Sequence, residues 1–385
     1  MRCEFENEFL NIIRAIVIDG DTMLAAEIAS KAQGITSEVG DSKNSLYSFA
    51  RWHQMEHFVD YALSLGGDSP ATGDFYASVS VTTQQAEAAK EISSALSGEG
   101  IDHVLLKGTV IRSLYPEGWM RNGCDIDVLV HEDELDVASK ALVNLGYERR
   151  GEKSWHDIAL FKGFLHIELH YKLIEDFRMS GAAQVLDNLW DVAVSGELNK
   201  HSYTLPDDYF YLYHIAHMAK HFGDGGCGIR PVLDTWILNN RCEFDKPARD
   251  ALIKKANLEK FEQAMCRLSE YWFGNGSGEG LEDIERYIFS GGAYGTLDQK
   301  RQVRKSKKGR LGYICMRAFM GYKPLSSKYP VLIKHPYLFP VLEVWRWHEF
   351  FGNNHKNHAK ELKDSLKRSD GVKKMINELD LSEYW

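Results

Sequence analysis

The stretch Cys124-Asp-Ile-Asp-Val-Leu-Val130 alternates apolar and acidic residues, as expected for a β-strand that carries acidic side chains on one face. Successive side chains of a strand point to opposite faces, so Asp125 and Asp127 share one face. The opposite face carries three apolar residues, Ile126, Val128 and Val130. The stretch therefore predicts a buried strand with two carboxylates on one side.

A second segment, Leu165–His170, has the same alternation and predicts another strand, paired in a hairpin with the preceding segment 155–161. Its core-facing residues would be Leu165, Ile167 and Leu169. Its other face would carry His166, Glu168 and His170. Glu168 then joins Asp125 and Asp127 in a cluster of carboxylates that repel one another. A fold rarely keeps such a cluster without a cation, and oxygen ligands favour Mg²⁺ or Mn²⁺ over zinc.

Upstream of the acidic strand, Leu105-Leu-Lys-Gly-Thr109 predicts a strand that turns into a short helix, Val110–Tyr115. Gly108 would let the backbone approach a phosphate, and Thr109 would offer its hydroxyl at the start of the helix. Lys107 either points toward the phosphates or lies in solvent at the strand end. Arg121 either clamps a triphosphate or neutralises the carboxylates.

Together these motifs resemble the nucleotidyltransferase superfamily typified by DNA polymerase beta. Its signature is a strand ending in Gly-Ser or Gly-Gly, a helix, a strand with Asp-x-Asp, and a later strand with a third carboxylate. The fuller pattern is similar to one bacterial family of this superfamily, and it adds Tyr115-Pro, Arg121-Asn-Gly before the acidic strand, Gly146-Tyr147 and Glu168-Leu-His170. The resemblance covers about residues 101–171 and is thinner over 205–240 and 285–350. Thr109 and the long insert around Pro116–Trp119 depart from the general pattern.

The resemblance implies transfer of a nucleotide from an NTP, with ATP expected, to a hydroxyl of a small molecule or a protein. Asp125, Asp127 and Glu168 would be the catalytic and metal-binding residues of a two-metal site with Mg²⁺ or Mn²⁺ as cofactor. Lys107, Gly108, Thr109 and Arg121 would bind the nucleotide. The rival hypothesis is a catalytically silent nucleotide-binding protein with a regulatory or scaffold role.

Three histidines, His214, His217 and His221, recur at helical spacing and lie on one face of a predicted helix, 207–222. We expect this face to shape the acceptor cleft rather than to bind zinc, with packing in a core as the alternative. Arg230 and Asp234 lie four residues apart, so they form either an ion pair with each other or part of the same cleft. His170 is assigned to the acceptor cleft with them.

Composition excludes some classes of function. The formal net charge is −9, and the pI is near 5.9, so binding to duplex DNA is not expected. The six cysteines are scattered without metal-ligand spacing. Neither a signal peptide nor a transmembrane segment is predicted, and the expected location is the cytoplasm.

The predicted fold class is α+β (mixed α/β), a small mixed β-sheet core flanked by helical regions, with helices on one face of the sheet. Residues 1–98 would form an N-terminal helical region, which includes one helix over Leu46–Ser64, and 99–200 the nucleotidyltransferase core. Residues 201–275 would be a helical substrate-side domain, and 281–385 a basic and aromatic helical segment.

The basic run of this last segment, Lys300–Arg310, is either a solvated loop or a contact for an anionic surface through 300–350. The apolar stripe Leu338, Leu342 and Trp345 is expected to pack on the helical domain.

Overall fold

The computed structural model describes residues 2–32, 45–67, 73–151, 153–154, 156–174, 179–197, 199–300, 302–303, 322, 325, 329, 331–352 and 370–384. Within these ranges helices surround one mixed β-sheet, which confirms the predicted α+β fold class.

The helices before the sheet are α1 (Glu4–Ile13), which continues as a π-helical segment (Arg14–Asp19), α2 (Thr22–Ala32), α3 (Leu46–Trp52), α4 (Glu56–Leu65) and α5 (Asp74–Gly98). The prediction of one helix over Leu46–Ser64 is wrong. The helical conformation is interrupted between α3 and α4 at Gln54. The φ of this residue is 56°, which lies in the left-handed region and cannot continue a right-handed helix. This break positions His53 and Gln54 beside the pocket described below.

The strands are β1 (His103–Leu105), β2 (Ile126–Val130), β3 (Glu148–Arg149), β4 (Asp157–Lys162), β5 (Leu165–His170), β6 (Val194–Ser195) and β7 (Ser202–Thr204). Their order in the sheet is β3-β4-β5-β2-β1-β7-β6. The predicted hairpin is present as antiparallel β4 and β5, whereas β2 pairs in parallel with β5 and β1 in parallel with β7. The two short strands β6 and β7 and the short β3 were not predicted from the sequence.

The register of β2 and β5 brings the two motifs together. Asp127 is the direct partner of Glu168, and Ile126 is the partner of Ile167. The apolar residues of both strands pack in one cluster with α5 and α7 (Leu135–Asn144). Alternation along each strand therefore separates the apolar face from the acidic one, as the sequence predicts.

The prediction that helices cover only one face of the sheet is wrong. Val104, Leu106 and Leu129 belong to a second cluster, which contains buried residues of α1–α4 and of the helices after the sheet. The polar residues at the ends of β2 and β5 therefore lie under a helical layer instead of facing bulk water.

That layer is formed by α8 (Ser180–Leu186), α9 (Asp207–Gly223), α10 (Arg230–Arg241), α11 (Lys246–Lys255), α12 (Glu259–Phe273) and α13 (Glu282–Gly291). Farther along the chain lie α14 (Val331–Lys334), a 3₁₀ turn (Pro336–Leu338) and α15 (Phe339–Gly352). A last 3₁₀ turn covers Leu381–Tyr384.

The C-terminal segment departs from the expected packing. Trp345 is 56% exposed, whereas Leu338 and Leu342 are partly buried, so the predicted apolar stripe is covered unevenly. Of the charged residues in the basic run, only Lys300 lies in the described ranges, and residues 301 and 304–310 lie outside them. Among the described helices, none combines the length and apolar character needed to cross a membrane.

Candidate active site

A pocket of about 330 Å³ opens where the acidic ends of β2 and β5 meet α9 and α10. This volume lies within the range of small-molecule sites. One side consists of residues from the sheet and from α6 (Lys107–Ile111), and the other consists of histidines from α9 and from the α3–α4 junction. We call the first side the carboxylate wall, which comprises the pocket-lining residues Lys107, Asp125, Glu168 and His170 together with Asp127, which is buried in contact with Lys107 and His170. The second is the histidine wall, which comprises His53, His214, His217 and His221.

The carboxylate wall holds a group of side chains with the spacing of metal ligands. Ligand atoms of Asp127, Glu168 and His170 all lie within 4.8 Å of one another. Asp127 is fully buried, and its Oδ2 has no hydrogen-bond partner in the part of the chain that the structure describes. A buried carboxylate oxygen left without a donor is costly, and a bound cation would satisfy it. The chemistry of this group therefore fits a divalent metal ion.

Lys107 already provides one positive charge at this position. Its Nζ lies 2.6 Å from Asp127 Oδ1 and 3.7 Å from Glu168 Oε2. The alternative in which this lysine lies in solvent is wrong, since its side chain is only 17% exposed. Its φ of 43° places a non-glycine residue in the left-handed region, a conformation that costs about 1 kcal/mol or more. The backbone at Lys107 is thus strained where the ammonium reaches the carboxylates.

The charges in this wall shift the pKa values of its members. Burial and the negative charge of Asp127 raise the pKa of Asp125 to about 6. Burial alone would raise the pKa of Asp127, but Lys107 and His170 outweigh it and hold that pKa far below its ordinary value. Burial likewise opposes ionisation of Glu168, yet the hydrogen bond from His170 and the charge of Lys107 lower its pKa overall. Clusters of shifted pKa values of this kind are typical of functional sites.

His170 lies with the carboxylates. Its Nε2 lies 2.9 Å from Asp127 Oδ1 and 3.4 Å from Glu168 Oε2. Burial lowers the pKa of His170, but the hydrogen bonds with Asp127 and Glu168 reverse that effect and raise it. The sequence analysis assigned His170 to the acceptor cleft, and its contact with Asp127 becomes visible only once β2 and β5 pair in the structure.

Arg121 forms a buried ion pair with Asp234 of α10, with Nε 2.7 Å from Oδ1. The Tyr115 hydroxyl donates a second hydrogen bond to the same oxygen at 2.8 Å. The alternative of an ion pair between Arg230 and Asp234 is therefore wrong. Arg230 instead donates to the Gln54 carbonyl at 3.1 Å. Arg121 and Arg230 both line the pocket, so two guanidinium groups are available beside the carboxylate wall.

Only one residue of the Gly108-Thr109 turn lines the pocket. Gly108 lines the pocket, and a Cβ at this position would lie 3.6 Å from Arg121 Nη1. Thr109 is partly buried but is not among the residues that line the pocket. The helix begins at Lys107, earlier than the predicted Val110, and it has five residues. Such a short helix has little dipole, so any phosphate contact would depend on Lys107, Gly108 and the arginines.

The members of the histidine wall are uncharged near neutral pH. Burial lowers the pKa of His53 to about 3 and those of His214 and His221 to about 4, and burial with Lys107 nearby holds the pKa of His217 well below 6.5. His217 Nε2 and His221 Nε2 lie 3.1 Å apart, so one ring donates its proton to the other. His214 Nε2 lies 2.9 Å from Thr235 Oγ1. The three predicted histidines thus do share one wall of the pocket.

Sequence reasoning missed several residues of this pocket. Tyr213 is buried there, and its hydroxyl has no hydrogen-bond partner among the described residues. Tyr294 also lines the pocket, and its hydroxyl lies 2.9 Å from Cys124 Sγ, next to Asp125. Tyr213 lies four residues before His217 on the predicted helix, and this spacing was a usable signal for Tyr213, because residues at i and i+4 share one face. No local signal connects Tyr294 with residue 124.

Tyr294 is held in place by the glycine-rich turn 290–295. A Cβ on Gly292 would lie 2.6 Å from the Trp52 carbonyl oxygen, and one on Gly226 would lie 2.7 Å from Gly295 Cα. Both glycines have positive φ values, 61° and 153°. Larger residues would push the turn away from the α3–α4 junction and from the loop after α9. The turn therefore closes one side of the pocket.

An acidic pair on neighbouring parallel strands, beside a glycine in the first turn of a helix, is the arrangement expected of a nucleotidyltransferase. The family model described as an uncharacterised nucleotidyltransferase matches residues 43–274 of this chain. The chain therefore belongs to this nucleotidyltransferase family. The matched region contains the whole carboxylate wall and the whole histidine wall. No curated protein and no solved structure matches the chain.

Proposed function

We propose that this protein is a Mg²⁺-dependent enzyme that transfers a nucleotide from an NTP, with ATP the expected donor, to a hydroxyl of a small molecule or a protein. The observation that carries the proposal is the register of Asp127 beside Glu168, together with the buried Asp127 Oδ2, which has no hydrogen-bond partner among the described residues. Family membership supports the general reaction.

In this proposal Asp127 and Glu168 hold the catalytic cation, and Asp125, which lines the pocket, completes the carboxylate set. Mn²⁺ would substitute for Mg²⁺, since both prefer oxygen ligands. When bound, such ions would neutralise the triphosphate and lower the pKa of the acceptor hydroxyl. The fit of the site to the cation depends on the side chains described above and on no other group.

The positive side chains of the pocket bind the triphosphate. Lys107 holds the carboxylates together through its contact with Asp127, and Gly108 allows the backbone to approach phosphate oxygens. Arg121 is fixed by Asp234, whose carboxylate also accepts a hydrogen bond from Tyr115, so the guanidinium is already oriented before a nucleotide arrives. Thr109 has the weakest support, because it does not line the pocket.

The histidine wall receives the acceptor. Neutral imidazoles and the unpaired Tyr213 hydroxyl can donate and accept hydrogen bonds without attracting phosphate charge. Arg230 and Asp234 border this wall through α10. An uncharged, hydroxyl-bearing group fits these neighbours better than a second anion does.

The test is incubation of the purified full chain with Mg²⁺, NTPs labelled at the α-phosphate and fractionated cell extract. We expect label in an acceptor fraction together with release of pyrophosphate, and loss of both with Asp127→Asn. The silent alternative predicts nucleotide binding in Mg²⁺ without pyrophosphate from any NTP or fraction, and that result would overturn the enzymatic proposal.

A further inference from the structure

A second group of candidate metal ligands shares His170 with the group that contains Asp127 and Glu168. Ligand atoms of His156, Asp157 and His170 all lie within 4.8 Å of one another. Asp157 begins β4 directly opposite His170 at the end of β5, and cross-strand partners present their side chains on the same face. The rings of His156 and His170 stack with centroids 5.7 Å apart. These contacts concern residues that sequence analysis did not single out, apart from His170.

The two nitrogens of His170 have different environments. Nε2 contacts Asp127 and Glu168, whose carboxylates can only accept, so Nε2 carries the proton in that hydrogen bond. Nδ1 is buried and has no hydrogen-bond partner in the described part of the chain, and the whole residue is 2% exposed. An unpaired buried nitrogen calls for an explanation. In metal sites, a ligating histidine characteristically donates its other N–H to a carboxylate, which is the arrangement found here.

We propose that His170 Nδ1, His156 and Asp157 bind a divalent transition-metal ion of the Zn²⁺ type. Two imidazoles and one carboxylate suit Zn²⁺ or Co²⁺, whereas the all-oxygen pair Asp127 and Glu168 suits Mg²⁺. His156 lines the pocket, and Asp157 is partly exposed, so an ion can reach the site from solvent. Ser154 Oγ contacts the Asp157 carboxylate and would orient it.

An ion at this site would fix the orientation of His170. With Nδ1 bound to metal, Nε2–H remains directed at Asp127 and Glu168 and holds both carboxylates in place. The ion is therefore a structural or regulatory element behind the catalytic wall, not a participant in the reaction. Binding of the ion does not depend on the proposed nucleotidyl transfer, and only its effect on turnover rests on that function.

The test is a calorimetric titration of chelator-treated, full-length protein with Zn²⁺ in excess Mg²⁺, repeated with Co²⁺ and visible absorption as the readout. We expect one equivalent of Zn²⁺ per chain and a Co²⁺ spectrum with nitrogen-ligand character. His156→Ala and Asp157→Asn should each weaken binding by more than about tenfold. Both side chains are partly exposed, so the thermal midpoints of these variants without metal should stay near that of the wild type.

Two matched controls separate this site from its neighbours. His221→Ala removes a member of the other close histidine pair, and Asp125→Asn removes a carboxylate that belongs to neither ligand group among the described residues. Both variants should retain the ion. Absence of Zn²⁺ binding by the wild type, or binding that survives His156→Ala but is lost with His221→Ala, would overturn the proposal. Pyrophosphate release is measured separately, so failure of catalysis with intact Zn²⁺ binding, or the reverse, identifies which proposal has failed.

Discussion

The two walls of the pocket differ in the charge state of their side chains. The carboxylate wall gathers ionised groups and balances them locally, as the 2.6 Å contact between Lys107 Nζ and Asp127 Oδ1 shows. The histidine wall is made of titratable side chains that burial keeps neutral. The sheet fixes the first wall through strand register, whereas helix spacing and one helix break create the second.

Under the proposed function, this contrast would assign different ligands to the two walls of one cavity. A cation and a triphosphate would need fixed charges of opposite sign, which one wall carries. An acceptor that must be aligned but not held by charge is better served by neutral donors and acceptors. Arg121 connects the two sides, since it lines the pocket near Gly108 and pairs with Asp234 on α10.

The largest effect should come from the carboxylate wall. Asp127→Asn removes a cation ligand, and we expect a loss of turnover on the order of a thousandfold or more, about 4 kcal/mol of transition-state stabilisation. Pyrophosphate release with a labelled NTP measures it. The control is Asp102→Asn, which removes a partly exposed carboxylate that pairs with His201 away from the pocket. Turnover close to wild type in Asp127→Asn would refute the assignment of this wall.

The ion pair between Arg121 and Asp234, which connects the two walls, should contribute to the free energy of unfolding. Asp234→Asn leaves the Arg121 guanidinium buried without its counter-ion, and we expect a loss of about 3 kcal/mol in the free energy of unfolding. Urea denaturation measures the loss. Tyr115→Phe removes only a hydrogen bond to the same carboxylate and should cost about 1 kcal/mol. Equal losses in the two variants would show that the ion pair does not hold the walls together.

The neutral state of the histidine wall predicts a dependence of stability on pH. The folded-state pKa values of about 3 for His53 and about 4 for His214 and His221 lie below the ordinary 6.5, so the unfolded chain binds more protons between pH 6.5 and 4. The free energy of unfolding should therefore fall as the pH is lowered through this window, by up to about 1.4 kcal/mol per pH unit for each histidine.

The fully buried His53 offers the cleanest check of this dependence. Urea titrations between pH 7 and 4.5 should show a shallower slope for His53→Gln than for the wild type. Gln cannot take up a proton, so the contribution of that site disappears. An unchanged slope would mean that His53 is already protonated in the folded protein, or that it titrates equally in both states.

The smallest effect should come from single members of the histidine wall. His217→Gln keeps a hydrogen-bonding side chain but changes its shape, and we expect the KM for the acceptor to rise by about fivefold, roughly 1 kcal/mol. The affinity for NTP in Mg²⁺ should stay within about twofold of wild type. A larger change in the affinity for NTP than in the KM for the acceptor would mean that the histidine wall binds the nucleotide and not the acceptor.

The features that the sequence predicted are those governed by local geometry. Alternation in Ile126–Val130 and Leu165–His170 fixes which side chains face the core, and helical spacing places His214, His217 and His221 on one face. These interpretations needed no knowledge of distant contacts. The parallel register of Asp127 with Glu168 was not predicted, because neither strand by itself determines its partner.

What the sequence did not predict depends on residues far apart in the chain. The pairing of Arg121 with Asp234 spans 113 residues, and spacing favoured the nearer partner, Arg230. The positive φ of Lys107 could not be predicted from the sequence, because glycine is the residue expected in a left-handed conformation. The break at Gln54 was hidden by continuous apolar spacing through α3 and α4. In each case tertiary packing overrides a local preference.

The pocket takes residues from His53 to Tyr294, and this has a consequence for protein synthesis. A nascent chain that has reached Asp234 already contains both walls, but it lacks the turn whose Ala293 N–H donates to the Trp52 carbonyl. The part of the cavity that is synthesised first therefore cannot close until the part that is synthesised last is present. A ribosome-bound chain should gain a closed cavity only after residue 295 has left the exit tunnel, so activity would arise late in translation.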